Sequence, residues 1–211
     1  ENRGDFVLSK DLQYYKFTST VMSQWERLIV FIEEGIVHIL DGLDHLLFIL
    51  MLLIPIVALK GSYLQLLKIV TVFAIAHSIT LFISGFGLYV PSIPLVESAI
   101  ALSIFVVASL NFFKLYSHVN YKIVFVFGLM HGFGFANVLK VGQVSDTTSF
   151  LVALFGFNIG VEFGQIFMVL VYMLPLYFIR DNKYKEHIIK IFTSITAAIS
   201  VVWFLERVGL I

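Results

Sequence analysis

The stretch GIVHILDGLDHLLFIL, residues 35–50, sets two histidines and two aspartates inside an apolar segment that continues to Leu59. Ionisable side chains are costly in hydrocarbon, so at such a place they mark a site by default. On a continuous helix, at about 100° per residue, Glu34, His38, Asp41 and His45 share an arc of roughly 60°, with Asp44 about 100° round from His45. The segment reads as a first membrane span whose one face is a stripe of ligands. A solvated face of a soluble helix would carry the same charges, but leucines and isoleucines surround this stripe for two turns on either side.

The rest of the chain agrees with a membrane setting. Of its 211 residues 59% are hydrophobic and only 13% charged, whereas soluble domains carry about a quarter charged residues. Roughly 20 apolar residues cross a bilayer as a helix, and that ruler picks out 34–57, 64–84, 95–113, 121–139, 150–179 and 188–206. The expected fold is all-α, a polytopic membrane bundle of about six transmembrane helices over residues 26–211. Residues 1–25 form a polar extracytoplasmic lead-in. Because residue 1 is Glu and no basic-then-apolar leader precedes it, the lead-in reads as the remnant of a longer N-terminal region. The segment VMSQWERLIVFIEE reads as the outer end of the first span, with an interfacial amphipathic helix as the alternative.

Acids and bases balance at 14 each, with no basic stripe interleaved with aromatics, which excludes nucleic acid as a partner. There is no cysteine, so there is no disulfide framework, thiolate metal site or cysteine nucleophile. Lysine and arginine set the direction of the spans. Lys60 and Lys68, then Lys114 and Lys122, then Arg180, Lys183, Lys185 and Lys190 occupy alternate connections, while 85–94 has none and 140–149 only Lys140. The positive-inside rule then predicts N-out/C-out. A basic N-terminal tail with Arg3, Lys10, Lys16 and Arg27 runs mildly against it. On this topology the buried polar groups of several spans fall at one level, about 6–18 Å below the outer face at about 1.5 Å per residue.

Beyond the first span, His77 continues into Thr80 and Ser84 as a narrow polar stripe. His131 lies within Gly128-x-x-x-Gly132, and Glu162 follows Gly156 and Gly160 and precedes Gly164. Such glycines let helix backbones approach closely, which would also bring polar side chains within reach of a shared ion. Asn158, Glu162 and Gln165 form a further stripe, in which Asn158 and Gln165 serve interhelical hydrogen bonding or a site equally well and Glu162 reads as a site residue. The carboxylates Glu34, Asp41, Asp44, Glu97 and Glu162 have no lysine or arginine deep in a span to neutralise them, so protons or bound cations must do so. Glu97 reads equally as a residue favoured at a helix start. Imidazoles beside carboxylates suit a divalent transition metal such as Ni, Zn or Co, and a proton relay is the alternative. The expected ligands are His38, Asp41, Asp44, His45, His77, His131 and Glu162. His118 and His187 fall in loops and are left aside.

HILDGLDHLLFILMLL, AHSITL, ESAIALSI, FGLMHGFGFA and FNIGVEFGQ, in that order, resemble the signatures of the HupE/UreJ family of hydrogenase and urease accessory membrane proteins. The likeness covers about residues 30 to 170, in the branch with an extracytoplasmic N-terminal region. His38, Asp44 and His45 match that family's first-helix spacing. Ile39 stands where better-known members have Pro, and Asp41 is an added acid. The pattern is also similar to the nickel/cobalt permeases, whose His-x4-Asp-His signature is one residue shorter. The resemblance implies nickel or a related metal bound within the membrane or passing through it.

Two functions compete at this point. The first is a divalent-metal permease with an outward-facing His/carboxylate site, in which Glu162 is the next ligand inward. The second is an intramembrane metal-dependent hydrolase at the outer leaflet, with a metal-activated water and a spare carboxylate as base. A structural metal or polar packing core is the plain third option, and whether the chain is an enzyme stays open. The expected setting is an integral protein of a bacterial inner (cytoplasmic) membrane. Lipid and a metal ion are its partners, and an N-terminal extracytoplasmic domain or a metallochaperone is a further candidate.

Overall fold

A computed structural model describes residues 22–59, 61–115, 120–134 and 146–211, and these are helical throughout apart from short connections. The lead-in through residue 21, Lys60, His118, Lys140 and residues 135–139 of the expected fourth span lie outside the described residues. Among the described residues there are seven helices and no strand: α1 (Gln24–Asp41), α2 (Leu43–Ala58), α3 (Tyr63–Gly85), α4 (Ile93–Phe112), α5 (Tyr121–Gly134), α6 (Thr147–Arg180) and α7 (Lys185–Arg207).

Helix α1 starts where its sequence can satisfy a helix N-terminus. The Ser23 hydroxyl accepts from the Glu26 amide at 3.2 Å, and the Glu26 carboxylate accepts from the Ser23 amide at 2.9 Å, so two groups at the end pair reciprocally. The WERLIVFIEE segment is thus the N-terminal part of the first helix. Arg27, read with the basic tail, is 1% exposed within α1.

The continuous first span is corrected. Gly42 is extended (φ −77°, ψ 95°), α1 ends before it, α2 begins after it, and the two helices meet at a bend of 72°. The backbone ladder survives on both sides, with Gly42 N–H donating to His38 O at 3.2 Å and Leu46 N–H donating to Gly42 O at 3.0 Å. A side chain at position 42 is what the site cannot take: a Cβ there would lie 2.6 Å from His45 Nδ1 and 2.9 Å from His38 O. Interrupted helices at membrane depth are tolerated where protein covers the break or a polar cavity adjoins it.

By length and hydropathy α3 (from Leu64), α4, α6 and α7 can each cross a membrane, and α1 with α2 makes a fifth span if the bent pair counts as one. Helix α5 has 14 described residues and falls short of that length on its own. Among the described residues four to five spans thus stand where about six are expected, because the first is broken at Gly42 and α5 has only 14 described residues.

Glycine contacts fix how the helices run. Gly156, Gly160 and Gly164 of α6 approach Leu28, Ile32 and Ile36 of α1 in rising order, and Gly35 of α1 meets the Phe157 carbonyl. Helices α1 and α6 are therefore parallel and nearly touch backbone to backbone. Gly128 and Gly132 of α5 meet Phe73 and His77 of α3, again in rising order, so this pair is parallel too. Helix α7 runs antiparallel to α4, with Arg207 donating to Glu97 O at 2.9 Å near one end and Lys114 paired with Glu186 at 2.6 Å near the other. Its buried Thr193, Thr196 and Ser200 are small residues, the kind that let membrane helices pack closely. Lys114, Lys185 and Lys190 meet Ala58 and Leu59 at one end of the bundle, and Arg180 meets Gly61 beside it. The basic connections therefore gather on one side, as alternating spans require.

Candidate metal centre

The break at Gly42 turns two histidines of one sequence stretch toward each other. His38 closes α1 and His45 opens α2, with ring centroids 4.6 Å apart. His77 joins them from α3, 6.0 Å from His38, carried there by a helix that α5 meets at Gly132 and α6 crosses at Ser78 and Asn158. His38, His45 and His77 can each offer one ring nitrogen such that all lie within 4.8 Å of one another. His131 of α5 stands beside this trio, 5.2 Å from His45. The Gly132 approach to the His77 carbonyl sets its position.

Hydrogen bonds decide which nitrogens are available. His45 Nδ1 donates to Asp44 Oδ1 at 3.0 Å, and His131 Nδ1 donates to the Phe127 carbonyl at 2.9 Å. Both acceptors lack a proton, so each imidazole carries its hydrogen on Nδ1 and presents a lone pair on Nε2. Those Nε2 atoms are buried without a hydrogen-bond partner, and neither nitrogen of His77 makes a bond of good geometry, although Asn158 lies beside the ring. Buried polar atoms left so are rare and call for an occupant. Oriented neutral imidazoles with an outer carboxylate or carbonyl on the second nitrogen are what a transition metal requires.

Asp44 has a second task. Its Oδ1 also accepts the His45 backbone N–H at 2.9 Å, one of the unpaired donors in the first turn of α2. The positive end of the α2 dipole favours a carboxylate there. Aromatic rings wall the centre: Phe73 and Phe157 stack with His77 at 6.1 and 6.2 Å, and Phe48 lies 4.9 Å from His131.

A family model described as HupE / UreJ protein matches residues 14–207. The chain belongs to the HupE/UreJ family. No curated protein and no solved structure matches it. As a HupE/UreJ member with at least four apolar helices of spanning length, it is an integral membrane protein of nickel or related metal transport or accessory function. Its buried histidine cluster fits that association.

The remaining expected ligands of this HupE/UreJ chain stand further out. Asp41 is exposed at the end of α1, on the same helix as His38, and the break at Gly42 parts it from the arc of His45. Asp44 reaches His45 and not the common space of the three imidazoles. Glu162 is half-buried and accepts from the Thr71 hydroxyl at 3.4 Å. Glu34 is half-buried as well. Glu97 pairs with Arg207 at 3.8 Å, so one carboxylate does have a basic partner. Asn158 accepts from Ser78 at 2.6 Å and donates to the Leu154 carbonyl at 2.8 Å, an interhelical role. The sequence reading missed the break, although Asp41-Gly42 is a turn dipeptide.

Proposed function

We propose that this chain is a divalent transition-metal permease that takes the ion from the outer side onto His38, His45 and His77, with His131 as the adjoining fourth imidazole. The observation that carries the reading is the convergence of imidazoles from three helices across a broken span. Discontinuous helices with a site at the break are a recurrent device of membrane carriers. Asp44 orients His45, and we assign Asp41 and Glu162 no place among the ligands. The all-nitrogen donor set favours Ni, Co or Zn over Mg or Ca. We read the chain as N-out/C-out, a reading that the gathering of basic residues at one end supports, with the histidines on the way in from the exterior.

An outer-leaflet hydrolase would need a carboxylate free beside a metal-bound water. Asp44 is engaged by His45 and Glu162 by Thr71, so transport is the better supported use of the same centre. The test is uptake of Ni2+ into sealed vesicles carrying the purified protein and a trapped metal-sensing dye. The unmodified protein should fill the vesicles. His77→Ala should stop uptake and weaken metal binding by more than about 100-fold, beyond the loss usual for an outer partner, with helix content retained. Uptake at the full rate in His77→Ala, or none in the unmodified protein, would overturn the permease reading.

A further inference from the structure

Helix α4 ends on a residue that the backbone there does not favour. Lys114 has φ 54°, the left-handed region that glycine ordinarily supplies at a helix end. Its N–H donates to Asn111 O at 3.1 Å and the Leu115 N–H donates to Leu110 O at 2.9 Å, so the last turn closes as it would around a glycine. A lysine kept in that conformation asks for a use of its side chain. Its ammonium pairs with Glu186 of α7 at 2.6 Å, and both line, with Lys185 and Lys190, a cavity of about 280 Å³ between the ends of α2, α4 and α7, many times the space of one water. Three lysines face one carboxylate there, and among the described residues neither Lys185 nor Lys190 is ion-paired. Ile189 of α7 lines this cavity and also a second one, of about 220 Å³, bounded by Leu50 and Ile54 of α2, Leu176 and Ile179 of α6 and Phe192 of α7. The second is apolar along its whole surface. From Ile179 back to Tyr172 on α6 it leads away from the basic end, over about 10 Å at about 1.5 Å per residue.

We propose that the two cavities form one site for a phospholipid with an anionic headgroup, its phosphate among Lys114, Lys185 and Lys190 and an acyl chain in the cleft between α6 and α7. The site is separate from the histidine centre and does not rest on the transport reading. Basic pockets between transmembrane helices hold anionic headgroups, and lysines near the membrane surface draw such lipids electrostatically. Glu186 neutralises Lys114 and ties the end of α4 to the start of α7, so the charge left for a ligand is that of Lys185 and Lys190. Both charge and shape choose the occupant. Free phosphate would answer the lysines but leave the apolar cleft empty. A zwitterionic lipid would fill the cleft but bring its own cation among the lysines.

The test is native mass spectrometry of the purified protein in detergent with phosphatidylglycerol or with phosphatidylcholine of the same acyl chains. The unmodified protein should retain one phosphatidylglycerol with a preference of at least about tenfold over phosphatidylcholine, the size expected of two uncompensated lysines. Lys185→Gln/Lys190→Gln should bring the two lipids to within about twofold of each other. Lys122→Gln/Lys183→Gln removes the same charge from the basic connections at positions that line neither cavity, and it should keep the preference. Inorganic phosphate in large excess should not displace the lipid. Equal loss of preference in the two double variants would reduce the effect to general surface charge and overturn the site. Displacement by phosphate would overturn the part of the acyl chain. No retained phosphatidylglycerol in the unmodified protein, with or without a dimer that gives the cleft to a second copy, would overturn the proposal whole.

Discussion

The α1–α2 segment and α6 each carry a polar stripe through the bundle, and only one of the two stays a stripe. Helix α6 is continuous over 34 residues, so Asn158, Glu162 and Gln165 keep the common face that helical spacing gives them. That face meets Ser78 and Thr71 of α3 and a cavity beside His45. The α1–α2 segment breaks at Gly42, so His38 and His45 close on each other while Asp41, the last residue of α1, is exposed. Periodicity predicts neighbours only as far as the backbone ladder runs unbroken. The break is also what makes a site: a straight helix would stack His38 and His45 along one side, whereas the bent pair encloses a space between them.

The sharpest way to break the comparison is to make the first region resemble the second. Gly42→Ala adds a Cβ 2.6 Å from His45 Nδ1 and 3.0 Å from Asp44 Oδ1, and the His45 ring must move. Metal affinity, measured by titration calorimetry, should fall by about 100-fold, the upper range for disturbing a ligand's support. Unchanged affinity would mean that the bend does not position the imidazoles.

A smaller effect is expected at Asp44. Asp44→Asn keeps an oxygen for the His45 N–H but removes the negative charge that raises the basicity of the ring. Affinity should drop by about tenfold, and rescue of full affinity by Asp44→Glu would argue against so close a fit. Smallest of all are the outlying acids. Asp41→Asn and Glu162→Gln should change affinity by less than about twofold, the ordinary size for groups outside the coordinating set. A loss of tenfold or more in either would restore it to the ligands.

How much of this was legible in the sequence follows from the same contrast. Composition and span length gave the all-helical membrane bundle, since both depend on the solvent and not on contacts between helices. His38, His45, His77 and His131 stand out in the sequence because an imidazole in hydrocarbon has few other uses, and the structure brings their rings together. The glycine spacings pointed correctly to close approach, yet the partners of α6 and α5, namely α1 and α3, come from tertiary packing that no single helix encodes. The shared arc of His38 and His45 was not legible as a bend, because periodicity takes the helix straight through an Asp-Gly pair. Glu97 seemed to lack a base because Arg207 lies 110 residues away in sequence. Gln165 was visible only as a stripe member, and the lack of a donor to its Oε1 is a fact of three-dimensional surroundings.

The most direct measurement of the central claim, that imidazoles from three helices converge on one ion, is X-ray absorption at the metal edge of the Ni2+-loaded protein. The account predicts a nitrogen-rich coordination shell with the outer scattering of at least three imidazoles, reduced by one in His38→Ala, His45→Ala or His77→Ala where metal is retained at high concentration. An oxygen-dominated shell, or an imidazole count untouched by those substitutions, would contradict it.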